Sequence, residues 1–522
     1  MSPTAEFDRR SFIRTLTVLG GVALLTPVIA GCAPTAAAPG VVPTTAFGTP
    51  KKGGSAVLAI QDDPVNMDPA DGQIYASIQV YDNIFSKLIE VDKDFKFVPD
   101  LATSWKQDDP LTWSFTLVKN AVFHNGEPLT AKDVAFSINR MKTHSLGAFV
   151  ASFDTVEVID DYHFKIHLTK PYGAMEATLA SFVNIVNKTA VTTMDPKESP
   201  IGSGPYKMTE WVKGSHVKLE RWEKYYKSDK PYLDSVTFQS VPDDSVRLAG
   251  LQTKQFDWVQ TVPQQQIKTL ESSSTIAHTA AKAYFPYLIE VNTTAAPFDN
   301  KLVRQAVNWA IDRSDIVKLA FSGQAAEATE AVAKGNPFFS GADFYAGGPD
   351  LKKAKALIKQ ANLTTNEYTI LVETEDSAYT TIAQVLLSQL SKIGLKGTIS
   401  TASASEYFGR LATQKYGLGI TYFSASMDPA LTYFLLGQST SGFNFTGYKS
   451  PTLDAALEKF TFEPDQVKRK AYYPTMVKLF QEESPFIFVA NQYQEYWTSK
   501  KLGGAAPLPN LDIRVEDMWQ AS

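Results

Sequence analysis

From Trp113 to Leu117 the chain reads Trp-Ser-Phe-Thr-Leu, alternating apolar with polar side chains. That period of two is the signature of a half-buried strand. The same alternation runs over Asp160–Leu168, where Phe164, Ile166 and Leu168 share one face and His163, Lys165 and His167 the other. Val217–Glu220 and Val236–Phe238 predict further strands. Helical spacing takes over elsewhere. Thr130 and, three residues on, Asp133 form a hydroxyl–carboxylate pair able to satisfy the orphan N–H groups of a helix start, and Val134, Ile138 and Met141 continue at helical intervals. A helical pattern spans Leu302–Phe321, with Ser314 as the expected N-cap within it. Leu351, Ala354, Ile358 and Ala361 make one helix face; Ile382, Val385, Leu386, Leu390 and Ile393 make another. A strand follows each, at about Tyr368–Glu373 and Lys396–Ser400. Helices alternating with strands predict an α/β arrangement in the C-terminal half, and no repeat of solenoid period is present.

Length and charge narrow this picture. The chain has 522 residues, too many for one core, and predicts two or three domains. It is 44% hydrophobic and 20% charged, an ordinary soluble composition, and its 12% aromatic content could furnish a ring-lined cleft as well as a core. The formal charge is -5; the first 31 residues carry +1 (Arg9, Arg10 and Arg14 against Glu6 and Asp8), leaving -6 for the rest. A mildly acidic chain without long basic runs argues against nucleic acid as partner.

The N-terminus reads as an address. Arg9 and Arg10, with Phe12 two residues on, resemble a twin-arginine export signal, and the apolar stretch from Leu16 to Ile29 is shorter than the ~20 residues of a membrane-spanning helix. The stretch ends Ile29-Ala30-Gly31-Cys32, which resembles a bacterial lipobox. Cys32, the sole cysteine, is then the lipidated first residue of an exported protein, held on the outer face of the cytoplasmic membrane or in the periplasm. Residues 1–31 are the expected signal peptide. Residues 32–52, rich in Ala, Pro, Thr and Gly, are the expected tether.

Catalytic signatures are missing. No G-x-S-x-G elbow occurs. Gly202-Ser203-Gly204-Pro205 lacks the spacing and lysine of a phosphate loop and predicts a tight turn. Of the six histidines only His163 and His167 are close in sequence; on a strand they stand roughly 13 Å apart, which predicts solvent-facing polar residues and no metal. No enzymatic activity, cofactor or catalytic residue is expected.

A set of motifs recurs in order from Gly53 to Trp519. They are Gly53-Gly54, Met67-Asp68-Pro69, Leu101-Ala102-Thr103-Ser104-Trp105, the run from Leu111 to Arg140, Pro200 through Lys207, Asn292 through Asp312, Asp428-Pro429 and Tyr448 through Asp454. In this the chain resembles the family 5 extracellular solute-binding proteins of ABC importers, which include receptors for dipeptides, oligopeptides and nickel chelates. The resemblance implies a type II periplasmic-binding-protein fold (cluster C) in three domains. Domain I is discontinuous (53–88, 172–283 and 489–522), domain II spans 89–171 and domain III 284–488. A small-molecule ligand would sit between domains I and III, which close on it like a hinged clamp and present it to membrane permease and ATPase subunits. A monomer suffices for this work.

By position in the family, the cleft residues are Gln73, Ile74 and Tyr75 in domain I, Phe285 near the hinge, and Thr421, Tyr422, Phe423, Ser424, Ala425 and Ser426 in domain III. Thr421, Phe423 and Phe285 would act through backbone groups, Tyr422 and Tyr75 through ring faces. Peptide-binding members carry an Asp three residues before the acidic residue of the D-P landmark, to neutralise the peptide's ammonium; here that position is Ala425. A buried, unpaired ammonium is costly. Arginines that hold chelate carboxylates in nickel-binding members are missing from Leu146–Phe153 and Leu179–Asn187. Peptides or peptide-like solutes remain the family default. A neutral solute such as an oligosaccharide is the alternative, and a secreted hydrolase or a signalling receptor is a more distant one.

Overall fold

Two long antiparallel strands, Ile276–Val291 and Phe486–Ser499, form the spine of the molecule. The computed structural model describes residues 48–71, 75–263, 266–374, 377–423, 427–510 and 512–521. Both strands belong to an eleven-stranded sheet. On the Phe486–Ser499 side the sheet continues through Trp258–Val259, Ser55–Ile60, Ser235–Ser240, His216–Arg221 and Tyr206–Val212; on the Ile276–Val291 side, through Leu418–Tyr422, Glu367–Glu373 and Lys396–Ala402.

The predicted C-terminal α/β pattern is present. Glu367–Glu373 and Lys396–Ala402 pair in parallel, which demands a crossover, and the helix Ser377–Ser391 supplies it. Ile382, Leu386 and Leu390 of that helix are buried with Ile370 and Val372 of the strand. The pattern over Leu302–Phe321 resolves into two helices, Lys301–Ala310 and Arg313–Ala320, broken at Ile311 and Asp312. Ser314 is not the cap: Asp312 is, accepting from the amides of Ser314 and Asp315. A carboxylate two residues earlier competes for the same orphan donors and also favours the positive end of the helix dipole.

A separate four-stranded antiparallel sheet contains Ala102–Asp109, Thr112–Leu117, His163–Leu168 and Phe153–Val158, in that spatial order. Its inward residues follow the alternation: Phe115 and Phe164 stack with ring centroids 5.0 Å apart, and Val134, Ile138 and Met141 of the helix Ala131–Met141 are buried in the same core. At that helix's start the Asp133 carboxylate accepts the Thr130 amide at 3.0 Å. His163 and His167 face outward and meet Asp160 and Glu157, each at 2.9 Å.

The stretch Gly202–Pro205 is a close approach rather than merely a turn. A Cβ on Gly202 would lie 2.0 Å from the Ile84 carbonyl oxygen, and the Gly204 amide donates to that oxygen at 2.8 Å. Only glycine allows two backbones this near.

The C-terminal segment is held by buried ion pairs. Lys87 lies 2.8 Å from Asp82 and 2.9 Å from Asp512. Arg514 meets Glu90, and Lys227 and Lys230 reach Glu516 at 3.2 and 3.4 Å. Tyr225 and Tyr226 donate to Glu516 and Asp100, both at 2.5 Å.

Candidate functional site

The strand Leu418–Tyr422 pairs with Ile276–Val291 so that Tyr422 stands opposite Tyr287 and Thr421 opposite Leu288. Side chains alternate along a strand. Thr421 is accordingly buried, while Tyr422 is 41% exposed. The Phe423 amide extends the pairing by donating to the Pro286 carbonyl at 3.1 Å, and its ring packs against the core that holds Leu288 and Leu431.

Phe285 projects its ring between the two sides of the site. Its centroid lies 5.7 Å from Tyr422 and 6.0 Å from Tyr75, at 89° and 82°, so each ring meets its neighbour edge to face. Tyr75, at the start of the helix Tyr75–Tyr81, also receives a hydrogen bond from the Gln494 amide at 3.2 Å. Burial raises its phenol above the ordinary value, so it stays a neutral hydroxyl. Tyr287 continues the arc 5.6 Å from Tyr422 and donates to Gln492 at 3.1 Å. Tyr379 lies 5.9 Å from Tyr287, and its hydroxyl accepts the Tyr422 amide at 3.0 Å. The result is a run of five rings with hydrogen-bonding amides, suited to stacking and neutral hydrogen bonding.

The structure therefore brings Tyr75, Phe285 and Tyr422 together. The Phe285 ring stands beside both Tyr75 and Tyr422, and the pairing register of its strand shifts between Ala281 and Phe285. Thr421 and Phe423 turn their side chains inward, and the Phe423 amide is already committed. Gln73, Ile74, Ser424, Ala425, Ser426, Cys32, Arg9 and Arg10 lie outside the described residues. Tyr287, Tyr379, Gln492 and Gln494 were not anticipated. Gln492 and Gln494, two apart on a strand, share a face, and that spacing was the available signal; Tyr379 has none, being carried by a helix remote in sequence.

Asp68, Arg140 and Asn292, three of the motif residues, make contacts within the scaffold. Arg140 makes a two-pronged pair with Asp68 at 2.8 and 2.5 Å, fixing Asp68 to the helix Ala131–Met141. The Asn292 side chain donates to the carbonyls of Gln414 and Tyr416 at 2.9 and 2.8 Å, bracing the entry to Leu418–Tyr422. Among the described residues, Asp68, Asp71 and His144 bring potential metal-ligand atoms within 4.8 Å of one another. Arg140 occupies both Asp68 oxygens, and Lys197 lies 3.2 Å from Asp71. These cations explain the cluster as an ion-pair network. Among the described residues no helix is long and apolar enough to cross a membrane.

The five rings gather where the two long spine strands meet the C-terminal α/β unit. The structure superposes on DppA of Helicobacter pylori in complex with the peptide STSA with a TM-score of 0.80, at 24% identity, covering 90% of this chain and 99% of that one. It superposes on AppA of Bacillus subtilis, in complex with a nonapeptide, with a TM-score of 0.81, at 23% identity, covering 91% and 100%. The sequence model of the bacterial extracellular solute-binding proteins, family 5 (middle region), matches residues 96–445, and the chain belongs to that family. It is 29% identical over 488 residues to the glutathione-binding protein GsiB of Pectobacterium atrosepticum, covering 88% of this chain and 93% of that protein. The family is one of non-enzymatic receptors associated with ABC transporters.

Proposed function

We propose that this protein is the lipid-anchored, extracytoplasmic receptor of an ABC importer and that it captures small peptides or peptide-like solutes, glutathione among them. The observation that carries the reading is the relation to GsiB, a glutathione-binding protein, over 88% of this chain. The ring arc supports it, because a short peptide offers amides to Gln492, Gln494 and the tyrosine hydroxyls and apolar faces to the rings. In this reading domain I (53–88, 172–283 and 489–522) carries Gln73, Ile74 and Tyr75, and domain III (284–488) carries Thr421 to Ser426. The two long strands between them are the hinge, and domain II is 89–171. Ligand bridges Tyr75 and Tyr422 and so favours the closed form, which the permease and ATPase subunits read. The chain reaches its place by a twin-arginine-type signal at Arg9 and Arg10 and stays there through lipid on Cys32.

A second reading, a neutral solute such as an oligosaccharide, draws on Ala425 and on the uncharged amide partners of the arc. Thermal shift separates the two, since a ligand that binds only the native state raises the melting temperature by mass action. Glutathione and free tripeptides are expected to raise it, oligosaccharides not. A rise with oligosaccharides or N-acetylated peptides alone would overturn the peptide reading in favour of the neutral one.

A further inference from the structure

A cavity of about 200 Å³ lies apart from the ring arc and shares no residue with it. Its walls carry the rings of Phe95, Phe97 and Phe338 and four polar side chains, Glu176, Asp428, Gln466 and Lys470. Two of the four are already committed. Both Asp428 oxygens meet the fully buried Arg469, at 2.7 Å each, and one also accepts the Ala430 amide at 2.9 Å. Gln466 donates to the Gly173 carbonyl at 2.7 Å and accepts from Arg469 at 3.0 Å.

The other two are not. Glu176, half-buried in the first turn of the helix Met175–Ser181, accepts a hydrogen bond from the Trp105 indole at 2.7 Å. Burial raises its carboxyl, the Trp105 bond lowers it, and the charge of Asp428 raises it again; no cation acts on it. Lys470, exposed on the helix Gln466–Glu483, holds its ammonium 5.6 Å from the centre of the Phe338 ring. Among the described residues it meets no carboxylate.

A half-buried carboxylate without a cation has lost water that no opposite charge replaces. An entering ammonium replaces it. A metal ion does not suit the cavity, because among the described residues the ligand atoms that converge in threes are those of Asp68, Asp71 and His144. One carboxylate, one ammonium and an apolar lining are complementary to a zwitterion with an apolar body: its ammonium for Glu176, its carboxylate for Lys470, its side chain for the rings. The volume restricts the occupant to a molecule smaller than the ligands held by pockets of roughly 300–1,000 Å³.

We propose that this cavity is a second ligand site, and that it takes a free apolar α-amino acid.

The test uses the full chain, with L-leucine as probe. The Trp105 indole N–H is followed by NMR, its signal identified by its loss in Trp105→Phe, and affinity is followed by calorimetry. Leucine is expected to shift that signal and to bind equally well in Tyr422→Ala, which alters the arc alone. Glu176→Gln keeps an acceptor for Trp105 and removes the charge. It should weaken leucine by about tenfold or more, the loss of a charge-assisted hydrogen bond. Lys470→Met should weaken it by about threefold, as loss of an exposed ion pair does. Isopentylamine, which is leucine without its carboxylate, and isohexanoate, which is leucine without its ammonium, should each bind more weakly than leucine. An unmoved Trp105 signal, or an affinity unchanged in Glu176→Gln, would overturn the proposal. Loss of leucine binding in Tyr422→Ala would also overturn it and place the amino acid in the arc. Isopentylamine binding as tight as that of leucine would overturn the zwitterion in favour of a plain cation. Failure of the peptide reading would leave each of these outcomes as it stands.

Discussion

Two glutamates are both shut away from water, yet one keeps its proton and the other gives it up. Glu290 lies on the same strand as Phe285 and Tyr287, and among the described residues neither of its oxygens has a hydrogen-bond partner. Burial pushes its carboxyl up to about 8. Glu516 lies in the clamp that holds the C-terminal segment. Burial pushes it up as well, but Lys227, Lys230 and Arg514 outweigh that and hold it down at about 2. Burial is common to the two sites, and the neighbours set the sign. The tyrosines divide likewise. In the clamp Tyr225 and Tyr226 donate to carboxylates; in the arc Tyr75, Tyr287 and Tyr422 meet other rings and amides. The clamp spends its charges on one another, whereas the arc offers rings and neutral hydrogen-bonding groups.

The most severe way to break this division is to unpair the clamp. Lys87→Met strands Asp82 and Asp512 in a buried setting, and a loss of about 3–5 kcal/mol is expected, read from denaturant unfolding, with glutathione affinity unchanged in whatever fraction remains folded. An affinity loss as large as the stability loss would show that the two regions are not separable.

The glutamates sharpen the comparison through pH. A folded-state value raised to about 8 means that Glu290 contributes fully below its unfolded value near 4.5 and that this contribution is lost as pH rises through 8. The slope it adds is about 1.4 kcal/mol per pH unit across that window. Glu290→Gln should flatten stability between pH 5 and 8. Glu516 has the opposite sign: its contribution is present above about 4.5 and is lost as pH falls through about 2. Glu516→Gln should flatten the acid limb and leave the alkaline one alone. Equal effects of the two variants on both limbs would end the distinction.

In the arc the expected effect moves from stability to binding. Tyr422 is 41% exposed, so Tyr422→Ala should leave the melting temperature almost unchanged. It should weaken glutathione binding by about 2 kcal/mol, roughly thirtyfold, as loss of an aromatic anchor does. The smallest effect belongs to a site outside both regions. Thr130→Ala should cost about 1 kcal/mol in unfolding and leave both the pH limbs and affinity as they were.

Much of the scaffold was legible. Phe164, Ile166 and Leu168 are buried as their alternation requires, and Val134, Ile138 and Met141 as their helical spacing requires. Local patterns could not place the break at Ile311, because the Leu302–Phe321 periodicity runs through it and only the competition between Asp312 and Ser314 as caps decides where the second helix begins. Of the candidate site, Tyr75, Phe285 and Tyr422 meet. The identity of their company did not follow from spacing. Tyr379 arrives on the crossover helix, and Gln494 from a strand more than four hundred residues beyond Tyr75.

Residues a few positions apart are enough to mark strands such as His163–Leu168 and helices such as Ala131–Met141, the faces they bury and the family the chain resembles. Tertiary structure alone decided which rings touch, that Arg140 holds Asp68 and Arg469 holds Asp428, and why one buried glutamate keeps its proton while another gives it up. Those outcomes depend on distances between residues far apart along the chain, and in a medium that shields charge poorly, a cation within a few ångströms is enough to reverse the sign.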